Sequence, residues 1–118
     1  MNCLMVDTMT NSRQKGKRGE LELAAILREH GFADARRGVQ YSGITGAADV
    51  VGVPGVHIEV KRYKSISRGQ LEKALEQAKR DARADEIPVV LYREDGKEWR
   101  LYASIGAFCE LCRRGVST

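Results

Sequence analysis

Cysteine, proline and histidine are scarce in this chain of 118 residues, numbering three, two and two. The thiols Cys3, Cys109 and Cys112 are odd in number and unevenly spread. That excludes a disulfide-stapled scaffold and fits a reducing compartment. Cys109 and Cys112 have the CxxC spacing of zinc ligands, but there is no second pair, and His30 and His57 are distant in sequence. They read more simply as apolar residues one helical turn apart. Aromatic residues make up only 6%. Tyr63, Tyr92, Trp99 and Tyr102 fall in or beside candidate strands, where packing is a simpler role than base stacking. No apolar run is long enough to span a membrane. The segment from Met1 to Asp7 lacks a basic start and an apolar core, so no signal peptide is expected, and the expected setting is cytoplasmic. There is no internal repeat and no low-complexity tract.

Charge, by contrast, is plentiful. Charged residues account for 31% and hydrophobic residues for 42%, the balance of a globular domain rather than a disordered chain. The length suits one domain with a real core. Net charge is +4 and the sequence pI is about 9.1, which favours an anionic partner such as nucleic acid. Residues 12–19 are basic with no acid, reading either as a solvated leader to a helix or as a phosphate-contacting arm.

Taken in order, residues 1–13 show no clean period and are expected to form a poorly ordered tail. A single domain is expected over 14–118. Residues 20–30 have helical spacing, with Gly31 as the stop and Phe32 returning to the core. Glu20 lies in the first turn and leans toward the packed face. A brief edge strand is expected within 33–39, then a Gly- and hydroxyl-rich loop over 40–47. Residues 48–61 read as strand, turn, strand around Pro54-Gly55. Ser67 can cap a helix over 68–84 with Leu71, Ala74, Leu75, Ala78 and Ala82 inward. Gln70, Lys73, Gln77 and Arg80 lie off that stripe and are expected to face solvent. Residues 87–92 and 98–102 read as strands around an Asp95-Gly96 turn. A last helix after Ser104 would turn Ile105, Phe108, Leu111 and Cys112 inward. The order implies an α/β domain with a mixed sheet flanked by helices.

The chemistry concentrates in 48–61. Glu59 and Lys61 share a strand face because alternate residues do. Asp49 joins that face only if the intervening loop has an odd number of residues or a bulge intervenes. Gly52 and Gly55 make either route cheap, and one of them is expected to be used. Facing carboxylates raise each other's pKa and are tolerated when a cation neutralises them. Asp49, Glu59, Glu20 and the Val60 carbonyl form an oxygen-only set that suits Mg²⁺ or Mn²⁺ rather than zinc. Lys61 beside such an ion could orient water or stabilise charge on a phosphate, which suits phosphodiester hydrolysis. On its own, however, Glu-x-Lys also describes any half-exposed strand.

Glu20, Asp49 and Glu59-Val60-Lys61 together resemble the PD-(D/E)xK nuclease pattern. The Lys17-Arg18-Gly19-Glu20 helix start, the Gly31-Phe32 exit and the Ser42-Gly43 loop resemble archaeal-type Holliday junction resolvases and their phage-encoded relatives. The likeness covers about residues 15–92, and Ala48 stands where the pattern has proline before the acid. It implies a restriction-endonuclease-like core and a magnesium-dependent endodeoxyribonuclease acting in DNA recombination or repair as a homodimer. Asp49 and Glu59 would be metal ligands, Glu20 a water-bridged one and Lys61 the catalytic lysine. Lys15, Lys17, Arg18, Arg36, Arg37, Ser42, Arg62 and Lys64 would contact DNA, mostly through phosphates. The rivals are a repair or restriction-type nuclease on other DNA, a catalytically silent DNA-binding module, and an interaction protein with surface acids.

Overall fold

The computed structural model describes residues 3–38 and 47–116, with side chains over 14–38 and 47–115. Its elements are α1 (Cys3–Glu29), β1 (Arg36–Arg37), β2 (Val50–Val51), β3 (Val56–Tyr63), α2 (Arg68–Asp81), β4 (Ile87–Glu94), β5 (Arg100–Tyr102) and α3 (Ile105–Val116). The five strands lie in sequence order in one sheet. β3 and β4 pair in parallel across the α2 crossover, and the other pairs are antiparallel. Among the described residues no helix is long and apolar enough to cross a membrane.

The alternation of β3 assigns its two faces. Ile58 and Val60 pack with Leu23 and Ala24 of α1, Val50, Ile87, Val89 and Ala107 of α3. On the other face Leu71, Ala74 and Leu75 of α2 cover Val90, with Tyr92 and Tyr102 beside them. The result is a three-layer α/β sandwich with the sheet in the middle, the mixed-sheet architecture expected from the residues. Ser67 caps α2 through a reciprocal capping box with Gln70, a strong local start signal.

Several details differ from the sequence pattern. Helix α1 begins at Cys3, well ahead of residue 20. Phe32 is 40% exposed rather than a core residue. At the other end, Ile105 and Phe108 are 76% and 54% exposed, and Cys109 and Cys112 are exposed too. Ala107 and Leu111 make the core contacts of α3 instead. The inward stripe of a short helix cannot be phased from spacing alone when apolar residues lie all round it.

Candidate active site

Two glycines set the register of the central hairpin. Gly52 and Gly55 have φ of +96° and +77°, a backbone region costly for residues with a Cβ. A Cβ on Gly52 would also lie 2.0 Å from the Asp34 carbonyl oxygen. The turn they form pairs Val50 with Ile58, and just beyond that pair the Asp49 carboxyl comes within hydrogen-bonding reach of Glu59. The loop between the paired residues is therefore odd, and the two carboxyls interact directly. Gly38 secures the approach from the other side. Its N–H donates to the Asp49 carbonyl at 2.8 Å, and a Cβ there would stand 2.1 Å from the Ala48 carbonyl oxygen.

Asp49 stands where the β2 ladder ends. Its backbone N–H donates to Ile58, and its Oδ2 accepts the Val60 N–H at 2.8 Å. The N–H and C=O of a strand residue leave by the same edge, so the Val60 carbonyl also faces the Asp49 side. Glu59 is only 3% exposed. Burial, the facing Asp49 charge and an Asp49 hydrogen bond push its carboxyl up from 4.5 to about 8, with Asp81 adding and Lys61 opposing. Glu20 reaches the same region from α1. Burial and the Asp49 charge raise its pKa, against the Arg37 and Lys61 charges. Its Oε1 accepts from Arg37 Nε at 2.6 Å. Glu20, Asp49, Glu59 and Lys61 thus act on one another electrostatically across one end of the sheet.

Sequence reasoning passed over three residues here. His57 shares the Glu59 face and is 2% exposed. Its Nε2 lies 3.2 Å from Glu59 Oε1, and its Nδ1 lies 3.8 Å from Glu86. Asp81, at the end of α2, completes a His57–Glu59–Asp81 group whose potential ligand atoms lie within 4.8 Å of one another. Alternation from Glu59 was a signal for His57. Nothing local marked Asp81 or Glu86. Glu59 stands between this group and Asp49. The Asp49 side offers oxygen donors only, the chemistry of a hard divalent cation, whereas the His57 side holds an imidazole already at hydrogen-bonding distance from Glu59.

The basic candidates divide. Lys15, Arg18 and Arg62 line a cavity of about 320 Å³ with Gln14, Gly19 and Glu22. Lys15 and Arg62 both bond Asp95, at 3.0 and 2.6 Å. Arg37 is tied to Glu20, and Arg36 donates to the Asp34 carbonyl. Lys17 and Lys64 are exposed. Ser42 lies outside the described residues.

A family model for the archaeal Holliday junction resolvase (Hjc) matches residues 11–107. The chain belongs to that family. It is thereby a member of the PD-(D/E)xK nuclease superfamily, and the five-stranded mixed sheet with its flanking helices is consistent with the restriction-endonuclease-like fold. No curated protein and no solved structure matches the chain. The Hjc match spans all of Glu20, Asp49, Glu59 and Lys61.

Proposed function

We propose that this Hjc-family chain is a divalent-metal-dependent endodeoxyribonuclease that resolves four-way DNA junctions, with Asp49, Glu59 and Lys61 at its centre. The direct interaction of the Asp49 and Glu59 carboxyls beside the Val50–Ile58 pair supports this reading. The donor set fits a cation: burial first, and then the neighbouring Asp49 carboxylate, hold Glu59 far above its ordinary range with Lys61 as the opposing charge, and a divalent ion favours the ionised carboxylate. Asp49, Glu59 and the Val60 carbonyl would hold Mg²⁺ or Mn²⁺, with Glu20 reaching it through water. Such an ion supplies Lewis-acid polarisation of a phosphoryl oxygen and a more acidic water.

The protein's own groups do the rest. Lys61 aligns the attacking water and stabilises charge developing on the scissile phosphate. His57 donates to one Glu59 oxygen and leaves the other for the cation, the outer-shell role common around metal ligands. Glu20 holds Arg37 at the rim, where phosphates would arrive. Lys15, Lys17, Arg18, Arg36, Arg62 and Lys64 add sequence-blind contacts to the DNA backbone. Two cuts in a junction require two centres. Leu101, Ile105 and Phe108 leave an apolar patch at the β5–α3 end, 50%, 76% and 54% exposed, suited to a second copy of the chain.

Labelled four-way junctions and matched linear duplex, incubated with Mg²⁺, Mn²⁺ or EDTA, test the proposal. Metal-dependent cutting of the junction in preference to duplex is expected. Equal cutting of both would replace the resolvase with a general nuclease, and binding without cutting would favour a silent module.

A further inference from the structure

Gln70, Lys73 and Gln77 are exposed, as the sequence pattern expects, and they also line a surface depression. Lys61, Tyr63, Gln70, Lys73, Ala74 and Gln77 line a depression of about 150 Å³ between β3 and α2. Two periodicities build it. Glu59, Lys61 and Tyr63 share one face of β3, and each step of two residues advances about 7 Å. Gln70, Lys73, Ala74 and Gln77 recur at the three- and four-residue spacing of one helical face. Ala74, 2% exposed, keeps the floor deep because its side chain is small.

The chemistry of the lining is one-sided. Lys61 and Lys73 are cationic. Gln70 commits its carbonyl oxygen to the Ser67 N–H at 2.8 Å, which leaves its amide N–H groups as donors. No carboxylate lines the cavity, whereas two larger depressions include Glu22 in one and Asp34 and Glu86 in the other. The acid one turn along, Glu76, is paired with Lys79 at 3.7 Å. Among the described side chains Lys73 makes no ion pair. A donor-rich hollow that begins at Lys61 and continues along β3 to Tyr63, away from Glu59, matches an anionic group displaced by one step from the reacting one.

We propose that this cavity is a backbone subsite that receives the DNA phosphate next to the scissile phosphate, with Lys73 as its principal contact. The inference rests on the nuclease reading and adds to it the course of the cut strand, from Asp49 and Glu59 over Lys61 toward α2. Contacts of this kind position the strand without reading its bases. Lys73 thereby becomes a positioning residue for the reaction.

The test measures binding of the full chain to a fluorescent four-way junction across a series of KCl concentrations, with Ca²⁺ in place of Mg²⁺. Lys73→Ala is compared with Lys79→Ala, which removes the same charge from the same helix outside the cavity. Lys73→Ala is expected to weaken binding about five- to tenfold and to lower the slope of log K against log salt by about 1, with Lys79→Ala within about twofold of wild type. Single methylphosphonates are then walked across the phosphates flanking the cut. At one of them, neutralising the phosphate should abolish the Lys73→Ala penalty. Equal effects of the two substitutions, or a penalty unchanged at every position, overturn the subsite while leaving the nuclease intact. A wild-type chain that binds no DNA overturns both.

Discussion

Replacing Glu59 by glutamine separates stability from catalysis and gives a number to check. In the metal-free protein the Glu59 carboxyl is raised from 4.5 to about 8 by burial and by Asp49. Below pH 4.5 the group is protonated whether the chain is folded or not, and it costs nothing. Between 4.5 and 8 the folded chain holds a proton that the unfolded chain releases, so stability falls as pH rises. Above 8 the loss is complete. At about 1.4 kcal/mol per pH unit, the window from 4.5 to about 8 amounts to about 5 kcal/mol. A domain's whole stability is about 5–15 kcal/mol. Glu59→Gln keeps the shape and removes the charge. Urea unfolding with the metals chelated should find it close to wild type at pH 5 and more stable by several kcal/mol at pH 9. Saturating Mg²⁺ should restore the wild type and leave the variant unmoved, because a ligand that binds only the folded state stabilises it. If the two unfolding curves stay parallel from pH 5 to 9, the facing-carboxylate account is wrong.

Three further perturbations address the parts that support this pair. Gly52→Ala forces a Cβ to within 2.0 Å of the Asp34 carbonyl at a φ of +96°; left-handed strain and overpacking together predict a loss of about 2–5 kcal/mol in thermal or urea unfolding. His57→Leu removes the donor to Glu59 and should weaken Mn²⁺ binding about 10- to 100-fold by calorimetry, with His57→Gln recovering part of the loss; unchanged binding in His57→Leu would make the histidine a packing residue only. Phe108→Glu places a charge on the exposed α3 patch and should convert a dimer to a folded monomer in sedimentation, whereas a wild type that is already monomeric at high concentration would remove the second-copy reading.

The legible parts were the local ones. Alternation and the Pro54-Gly55 signal placed the hairpin, and two left-handed glycines supply the odd loop that the spacing of Asp49 and Glu59 demands. The capping box at Ser67 and the apolar stripe of α2 were equally plain. What escaped depends on contacts between distant segments. Asp81 meets His57 and Glu59 only because α2 crosses the sheet and ends beside them. Gly38 gains its importance from the backbone of Ala48 and Asp49, ten or more residues away. The Arg37–Glu20 ion pair likewise joins residues 17 positions apart. Phe32, Ile105 and Phe108 looked like core because apolar character alone does not say which side of a short segment is covered.

The most direct measurement is single-turnover cleavage of a four-way junction in Mg²⁺ by wild type, Asp49→Asn, Glu59→Gln and Lys61→Met, with junction binding in Ca²⁺ measured on the same samples. Convergence of these side chains on one centre predicts that all three variants keep binding within about tenfold and lose cutting by at least about a hundredfold, on the scale of single electrostatic contributors to catalysis. Cutting at near wild-type rate by Asp49→Asn, or loss of binding and cutting in equal measure in all three, would contradict it.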